Sequence, residues 1–383
     1  MRRYGIAKRE VDSDIRLCLR PSSHVLTTHH KPCGAFLHMR IAGFFVLMVK
    51  LLASVLMLAG VIWACGALWF QLAHTIKSGS ARGLILGVWV GVGLYCIYLL
   101  WAQSMGKSLL IYGVLMGAIV MWWSTITPSN NRQWAPEVAQ QLSGSVQGNI
   151  AQLNNVRNFD WQSPTKATQR WEKRSYNLNQ LVSVDMATSY WMGPAIAHTL
   201  VSFGFDDGKG PRKYLTFSVE IRKEASEQFS AIGGFFKQFE LSLVAAEERD
   251  LIRVRTNARG EDVYLYSIAM PRTAMRALFE AYIHKANALV DTPQFYHTIF
   301  ANCTTIVFDM VRAIVPGLPL DWRLLASGYL PQYVDSLGAL ARTQDFEAIK
   351  AAAYVNARAK ITTPTQDFSA AIRQGVPQAV AMP

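Results

Sequence analysis

Cys303 is the residue best placed to do covalent chemistry. It stands in Phe300-Ala301-Asn302-Cys303-Thr304-Thr305, directly before an apolar run through Ile306, Val307, Met310, Val311 and Ile314 that has helical spacing. A thiol at a helix N-terminus is ionised more easily, because the free amides and the helix dipole stabilise the thiolate. The same amides can hold an oxyanion. Asn302 and the two threonines suit a capping role there whatever the function, and Asn302 is also a candidate to touch substrate. The other four cysteines are Cys18 and Cys33, near the N-terminus, and Cys65 and Cys96, inside apolar stretches. Cys303 is therefore alone in the rest of the chain, where no intramolecular disulfide can use it. A free cysteine is as often a small buried hydrophobe as a nucleophile, so a base has to be found.

The chain after residue 128 offers His198, His284 and His297. His284 falls inside an amphipathic helical stretch, where a surface or packing role is expected. His297 lies six residues before Cys303, either lining a site or merely leading into the helix. His198 opens Ala197-His198-Thr199-Leu200-Val201-Ser202-Phe203, whose alternation puts His198 and Ser202 on one strand face and Thr199, Val201 and Phe203 on the other. Asp206-Asp207-Gly208-Lys209-Gly210 then reads as a hairpin loop. The next strand, Tyr214 to Ile221, should pair antiparallel with the first and present Thr216, Ser218 and Glu220 on one face. Glu220 is the strongest candidate to orient the imidazole, since a carboxylate also stabilises the imidazolium, and Ser218 is a second polar group on that face. A base on a strand facing a cysteine before a helix is the arrangement of a thiol hydrolase. Arg157 and Asn158, with Asp160 nearby, either bind a polar or anionic headgroup or form a structural network. No metal-ligand spacing and no cofactor motif enters this reading.

The elements around these residues are strand-like first and helical later. Strands are expected over 149–161, 181–190, 196–205, 214–221, 251–255 and 263–268, and helices over 271–289 and 304–315, the latter ended by Pro316-Gly317. That order indicates an α+β domain with an antiparallel sheet. The tail from Thr343 has one helical stretch, 345–360, followed by a Thr/Pro/Gln-rich end expected to be loose.

Asn155-Val156-Arg157-Asn158-Phe159, Leu181-Val182-Ser183-Val184-Asp185, Ser189-Tyr190-Trp191, Ile196-Ala197-His198-Thr199, Phe217-Ser218-Val219-Glu220-Ile221-Arg222 and Asn302-Cys303-Thr304-Thr305 together resemble the Lnb N-terminal periplasmic domain family, over roughly residues 145–340. That family is similar to papain-like thiol enzymes in a permuted order, histidine before cysteine, which His198 and Cys303 match. The resemblance implies that these two are the catalytic pair. Its best-known branch is a lipoprotein N-acyltransferase.

Composition and charge say where such a domain works. The chain is 51% hydrophobic and 17% charged, too apolar for a disordered protein. Its net charge of +12 would suggest nucleic acid, but residues 1–128 hold 12 Lys/Arg against 3 Asp/Glu, leaving 26 against 23 beyond. The folded part is nearly neutral, and nucleic-acid binding is set aside. The excess instead flanks three uncharged apolar stretches, 51–72, 84–101 and 109–127, each close to the ~20 residues that span a bilayer. Nine Lys/Arg before residue 51 keep that end in the cytoplasm, so three crossings deliver everything after Pro128 to the periplasm of a bacterial inner membrane. Four regions follow: a basic tail (1–43), with Met39 and Met48 as alternative starts, a membrane domain (44–128), a papain-like periplasmic domain (129–342) and a C-terminal helix with a tail (343–383).

The expected function is a membrane-anchored periplasmic thiol acyltransferase or hydrolase whose partner is the bilayer and whose substrate is a lipoprotein or lipid ester. Two rival readings are a peptidoglycan amidase or peptidase, expected if the site opens as a polar groove, and a non-catalytic envelope binding module, expected if Cys303 is buried away from any imidazole.

Overall fold

The computed structural model describes residues 33–341, 345–363 and 365–379. Its contacts divide the chain into two units, one of residues 1–69 with 78–123 and one of residues 70–77 with 124–383. The basic tail as far as residue 32 lies outside the described residues.

The first unit contains three apolar helices, α1 (Cys33–Gln71), α2 (Gly79–Ala102) and α3 (Met105–Thr125), each long and apolar enough to cross a membrane. The first apolar span begins at Ile41, ten residues ahead of the expected start. Lys50 interrupts the apolar pattern without ending the helix: its ammonium lies 5.7 Å from the ring centroid of Trp101, and a lysine stem can run along apolar surface while its head reaches outward. At 1.5 Å per residue α1 is about 58 Å long, about twice the hydrocarbon thickness of a bilayer. Small residues let the helices approach. A Cβ on Gly93 would sit 2.4 Å from Val61, and one on Gly60 would meet the Tyr112 hydroxyl, which donates to the Met57 carbonyl.

The second unit is α+β. Its main sheet has the order β1 (Ser143–Gln147), β2 (Ile150–Arg157), β9 (Glu240–Ala246), β8 (Lys213–Arg222), β7 (Ala197–Phe205), β6 (Leu181–Tyr190) and β10 (Asp262–Ile268), with β5 (Trp171–Asn177) also on β2. A short ribbon of β3 (Asp160–Trp161) and β4 (Ala167–Thr168) stands apart. The sheet is mixed, not purely antiparallel, because β2 meets β9 in parallel at Arg157↔Ala246. β7 and β8 pair antiparallel as the hairpin signal implied, from Leu200↔Ser218 to Phe205↔Lys213, with Gly208 of the loop at φ +68°.

One sheet face is covered by α5 (Arg272–Asp291) and α6 (Thr305–Ile314). α5 buries Met275, Leu278, Phe279, Tyr282, Ile283, Ala286 and Leu289, a helical stripe, against Val201, Phe203, Leu215 and Phe217. Phe203 and Phe217 each meet Phe279 edge-on at 5.2 and 5.4 Å. Pro271 precedes α5 and Pro293 follows its last turn, so proline marks both ends.

The other face shows where the sequence reading failed. The segment read as a strand, 251–255, belongs to helix α4 (Glu248–Arg253) and a π-helical turn (Val254–Arg259). Leu251 and Ile252 are neighbours and both fully buried; a strand would have turned one of them away from the sheet. The expected single helix over 345–360 is two, α8 (Phe346–Ala353) and α9 (Asn356–Ile361), following α7 (Leu330–Ser336). The supposedly loose end forms α10 (Phe368–Ile372), which buries Phe368 and Ile372 with Leu200, Val244 and Leu251. Just past it Arg373 lies 2.6 Å from both Asp185 and Glu248, all three buried. The tail thus closes the second layer of the domain.

Candidate active site

His198 is the second residue of β7, and the β7–β8 register carried two residues beyond Leu200↔Ser218 sets it opposite Glu220. The start of that strand is held from outside: Ser327 Oγ donates to the Ala197 carbonyl and accepts from the Ala197 amide, while the Gly328 amide donates to the Ala195 carbonyl. Gly328 has to be glycine, since a Cβ there would lie 2.0 Å from the Pro194 carbonyl oxygen. The strand pair then fixes the ring. His198 Nε2 is 2.7 Å from Ser218 Oγ and 3.3 Å from Glu220 Oε1, and Ser218 Oγ itself donates to Glu220 Oε1 at 2.6 Å. A serine that gives its proton to the carboxylate must accept from the imidazole, so Nε2 carries hydrogen and Nδ1 is left for the other side. Arg255 Nη2 donates to the same Glu220 oxygen at 2.8 Å and anchors itself through Nη1 on the Leu251 carbonyl.

Cys303 lies close enough to His198 for each to shift the other's titration. It packs with the core of α5 and α6, lies two residues before the first residue of α6, and is 8% exposed, within reach of solvent but not open to it. The helix amides do not serve it as expected. Asn302 Oδ1 accepts from the amides of Thr304 and Thr305, and its Nδ2 donates to the carbonyls of Thr298 and Ile299. Asn302 is therefore a cap tied into the preceding loop, with its amide group committed on both sides. The sulfur is supported instead by His198, by the backbone N–H of Thr199 and by the Thr304 hydroxyl at 4.0 Å.

The electrostatics follow from this packing. Burial opposes charge on every member, yet the pair wins. Burial alone would depress His198, but the Glu220 carboxylate and the Cys303 thiolate lift it to about 9. Burial alone would raise the Cys303 thiol, but the His198 imidazolium and the hydrogen bonds to the sulfur bring it below its ordinary value. Glu220 is likewise driven upward by burial and held well below the usual carboxylate range by His198 and Arg255. The three shifts run in one direction, each favouring the charged form of its group over the neutral one. Two phenols also feel the sulfur. Burial raises Tyr282 and Tyr296, and the Cys303 charge raises both further.

The remaining candidates lie elsewhere. Arg157 is 3% exposed and grips Asp250 with two parallel hydrogen bonds of 2.8 Å, while its third nitrogen donates to the Glu137 carbonyl. Asp250 also accepts from the Phe159 amide and Trp161 Nε1. These bonds make up the structural network of the two readings given for Arg157. Asn158 is similarly occupied, donating to Glu172 Oε1 at 2.8 Å. Ser218 lies between His198 and Glu220, in contact with both. His284 is exposed, and His297 accepts through Nδ1 from the Ile299 and Phe300 amides, shaping the loop before Cys303. Arg255 and Thr199 were missed. The only hint of Arg255 was chemical: a half-buried carboxylate beside an imidazole needs a cation to stay ionised.

No curated protein and no solved structure matches the chain. A family model does, over residues 167–328, starting after the Asn155–Phe159 run on which part of the resemblance rested. The segment that brings His198, Glu220 and Cys303 together is thus similar to the Lnb N-terminal periplasmic domain.

Proposed function

We propose that the protein is a membrane-anchored periplasmic thiol enzyme of papain-like type that transfers or hydrolyses the acyl group of an ester held at the bilayer surface, such as a lipoprotein or lipid. The reading is supported by Cys303 and His198, which favour each other's charged form, with the imidazole held by Ser218 and Glu220. The thiolate attacks the ester carbonyl, and the tetrahedral oxyanion forms beside the Cys303 amide, the one donor of this turn that Asn302 does not take. Its collapse breaks the ester bond, and the His198 imidazolium gives its proton to the departing alkoxide. A thioester on Cys303 and a neutral imidazole remain. His198 then takes a proton from an amine or water as that acceptor attacks the thioester, and the thiolate returns. Glu220, through Ser218, keeps the ring aligned and its charge favoured in both halves. Anchoring the domain beside three apolar helices raises its effective concentration at a lipid substrate. Exposed Trp191, Met192 and Phe300 near the site favour that substrate over the polar glycan and peptide of a cell-wall amidase. The mutual shift of Cys303 and His198 weighs against a purely structural Cys303.

The test is to trap the intermediate. Incubating the detergent-solubilised protein with a diacylated lipopeptide should yield an acyl adduct on Cys303 by intact-mass analysis, discharged by hydroxylamine. Absence of the adduct in the wild type with this and with a soluble activated ester would refute the thiol mechanism.

A further inference from the structure

Three uncharged stretches lie in the loops next to the site residues in sequence: 191–197 ahead of His198, 228–236 inside the connection from the strand of Glu220 to β9, which carries Lys223, Glu224, Glu227 and Lys237 on either side, and 292–302 ahead of Cys303. Together they expose Trp191, Met192, Phe229, Ile232, Phe235 and Phe300, the last at 76%. They form one continuous rim. Trp191 meets Phe229 edge-on at 5.1 Å, Phe235 meets His297 at 5.5 Å, and the Thr298 hydroxyl donates to the Ala231 carbonyl. Large apolar side chains held at the surface by such contacts keep a cost that solvent imposes, unless something covers them.

The middle loop shows what covers them. Phe236 stacks on Phe70 at 5.6 Å, and the carbonyls of Phe236 and Lys237 accept from Gln71 Nε2 at 2.7 and 2.9 Å. Lys237 Nζ donates to the Ile126 carbonyl. Gln71 is the last residue of the first apolar helix, and Ile126 directly follows the third. The uncharged rim is therefore pinned to the two points at which the chain leaves its apolar helices, where a lipid–water interface must lie if those helices cross a bilayer. An interface accepts aromatic and aliphatic side chains and rejects charged ones, which is the composition found.

We propose that this rim is an interfacial surface whose occupant is the bilayer itself: Trp191, Met192, Phe229, Ile232, Phe235 and Phe300 insert into the headgroup and upper acyl region, and the mouth of the Cys303 site faces lipid. The docking rests on the reading that the helices span a membrane and is independent of the thiol chemistry.

The experiment measures depth. Nitroxide labels are placed singly at Phe229→Cys, Ile232→Cys and Phe300→Cys, with Lys209→Cys in the remote hairpin loop as control. The background is the full chain with its own cysteines replaced, reconstituted in vesicles of phosphatidylethanolamine and phosphatidylglycerol. All four positions are exposed, so labelling leaves the fold in place. Collision with dissolved oxygen should exceed collision with a water-soluble nickel chelate several-fold at the three rim positions and fall short of it at Lys209→Cys. Rim labels as open to nickel as the control would overturn the proposal. Rim labels shielded from both reagents would overturn it too, in favour of a protein partner. The readout needs no turnover, so failure of the enzymatic reading would leave it intact and separately visible.

Discussion

Cys303, His198 and Glu220 shift one another's titration, and the pH behaviour expected of them can be argued from the signs. With the thiol below its ordinary value, alkylation by iodoacetamide at pH 7 should be faster than that of a free cysteine, whose pKa is about 8.5. Acyl transfer should fall as pH rises through about 9, where His198 loses the proton it gives the leaving group. His198 is raised above its unfolded value, so its contribution to stability is complete below about 6.5 and fades as pH climbs through about 9. Replacing His198 by Ala should slow alkylation at pH 7 and reduce turnover by roughly 10²–10⁴-fold, while His284→Ala changes neither. Equal alkylation rates in wild type and H198A would sink the pair. Glu220→Gln and Arg255→Met act one step out. Glu220→Gln should move the alkaline limb of the pH–rate profile down, because it removes the charge opposite the imidazolium, whereas Arg255→Met should move the acid limb up, because Glu220 loses a cation that holds its carboxyl low.

Elements matter through what they pin. Arg373 follows the last helix and sits between two buried carboxylates on the sheet, so Arg373→Met leaves Asp185 and Glu248 facing each other without a cation. Breaking a buried ion cluster from one side costs about 3–5 kcal/mol, and thermal melting in detergent should show a large loss with Cys303 alkylation kept in the protein that remains folded. An unchanged melting curve would mean that the tail is dispensable. Gly328→Ala is a different kind of lesion. It should push the Pro194–Ala195 backbone and with it the start of β7, lowering turnover more than stability, since the clash lies on the strand that carries His198. Comparing kcat and melting temperature for that variant separates misplacement from unfolding.

At the scale of the molecule, residues 70–77 belong to the same unit as residues 124–383, and if the three apolar helices each cross a bilayer the first and third are expected to end on the same face. A membrane-impermeant maleimide should label Lys77→Cys from outside intact cells and fail to label Ser104→Cys, in the connection between α2 and α3, until the cells are opened. An alkaline phosphatase fused after Pro128 should be active, as nine basic residues ahead of the second-half domain require. The reverse pattern in either assay would place the domain in the cytoplasm.

The apolar helices, the basic flank and the His198 strand with its partner were legible in the sequence because each is local: a run of uncharged residues, a period of two, a hairpin loop between two strands. Cys303 was legible because it is chemically alone beyond residue 128. The cation that keeps Glu220 charged was not. Arg255 reaches it from a helix that the alternation in Leu251–Arg255 disguised as a strand, and only burial of both Leu251 and Ile252 on one side settled the matter. Nor could local pattern distinguish Arg157 as a ligand from Arg157 as a tie, since Asp250, 93 residues away, makes the difference. The same holds for the tail, whose composition reads as loose until Arg373 finds carboxylates on two other elements. Types and periods are written along the chain, but the partner of a buried charge is chosen by tertiary packing, because desolvation makes that choice only once the layers have closed.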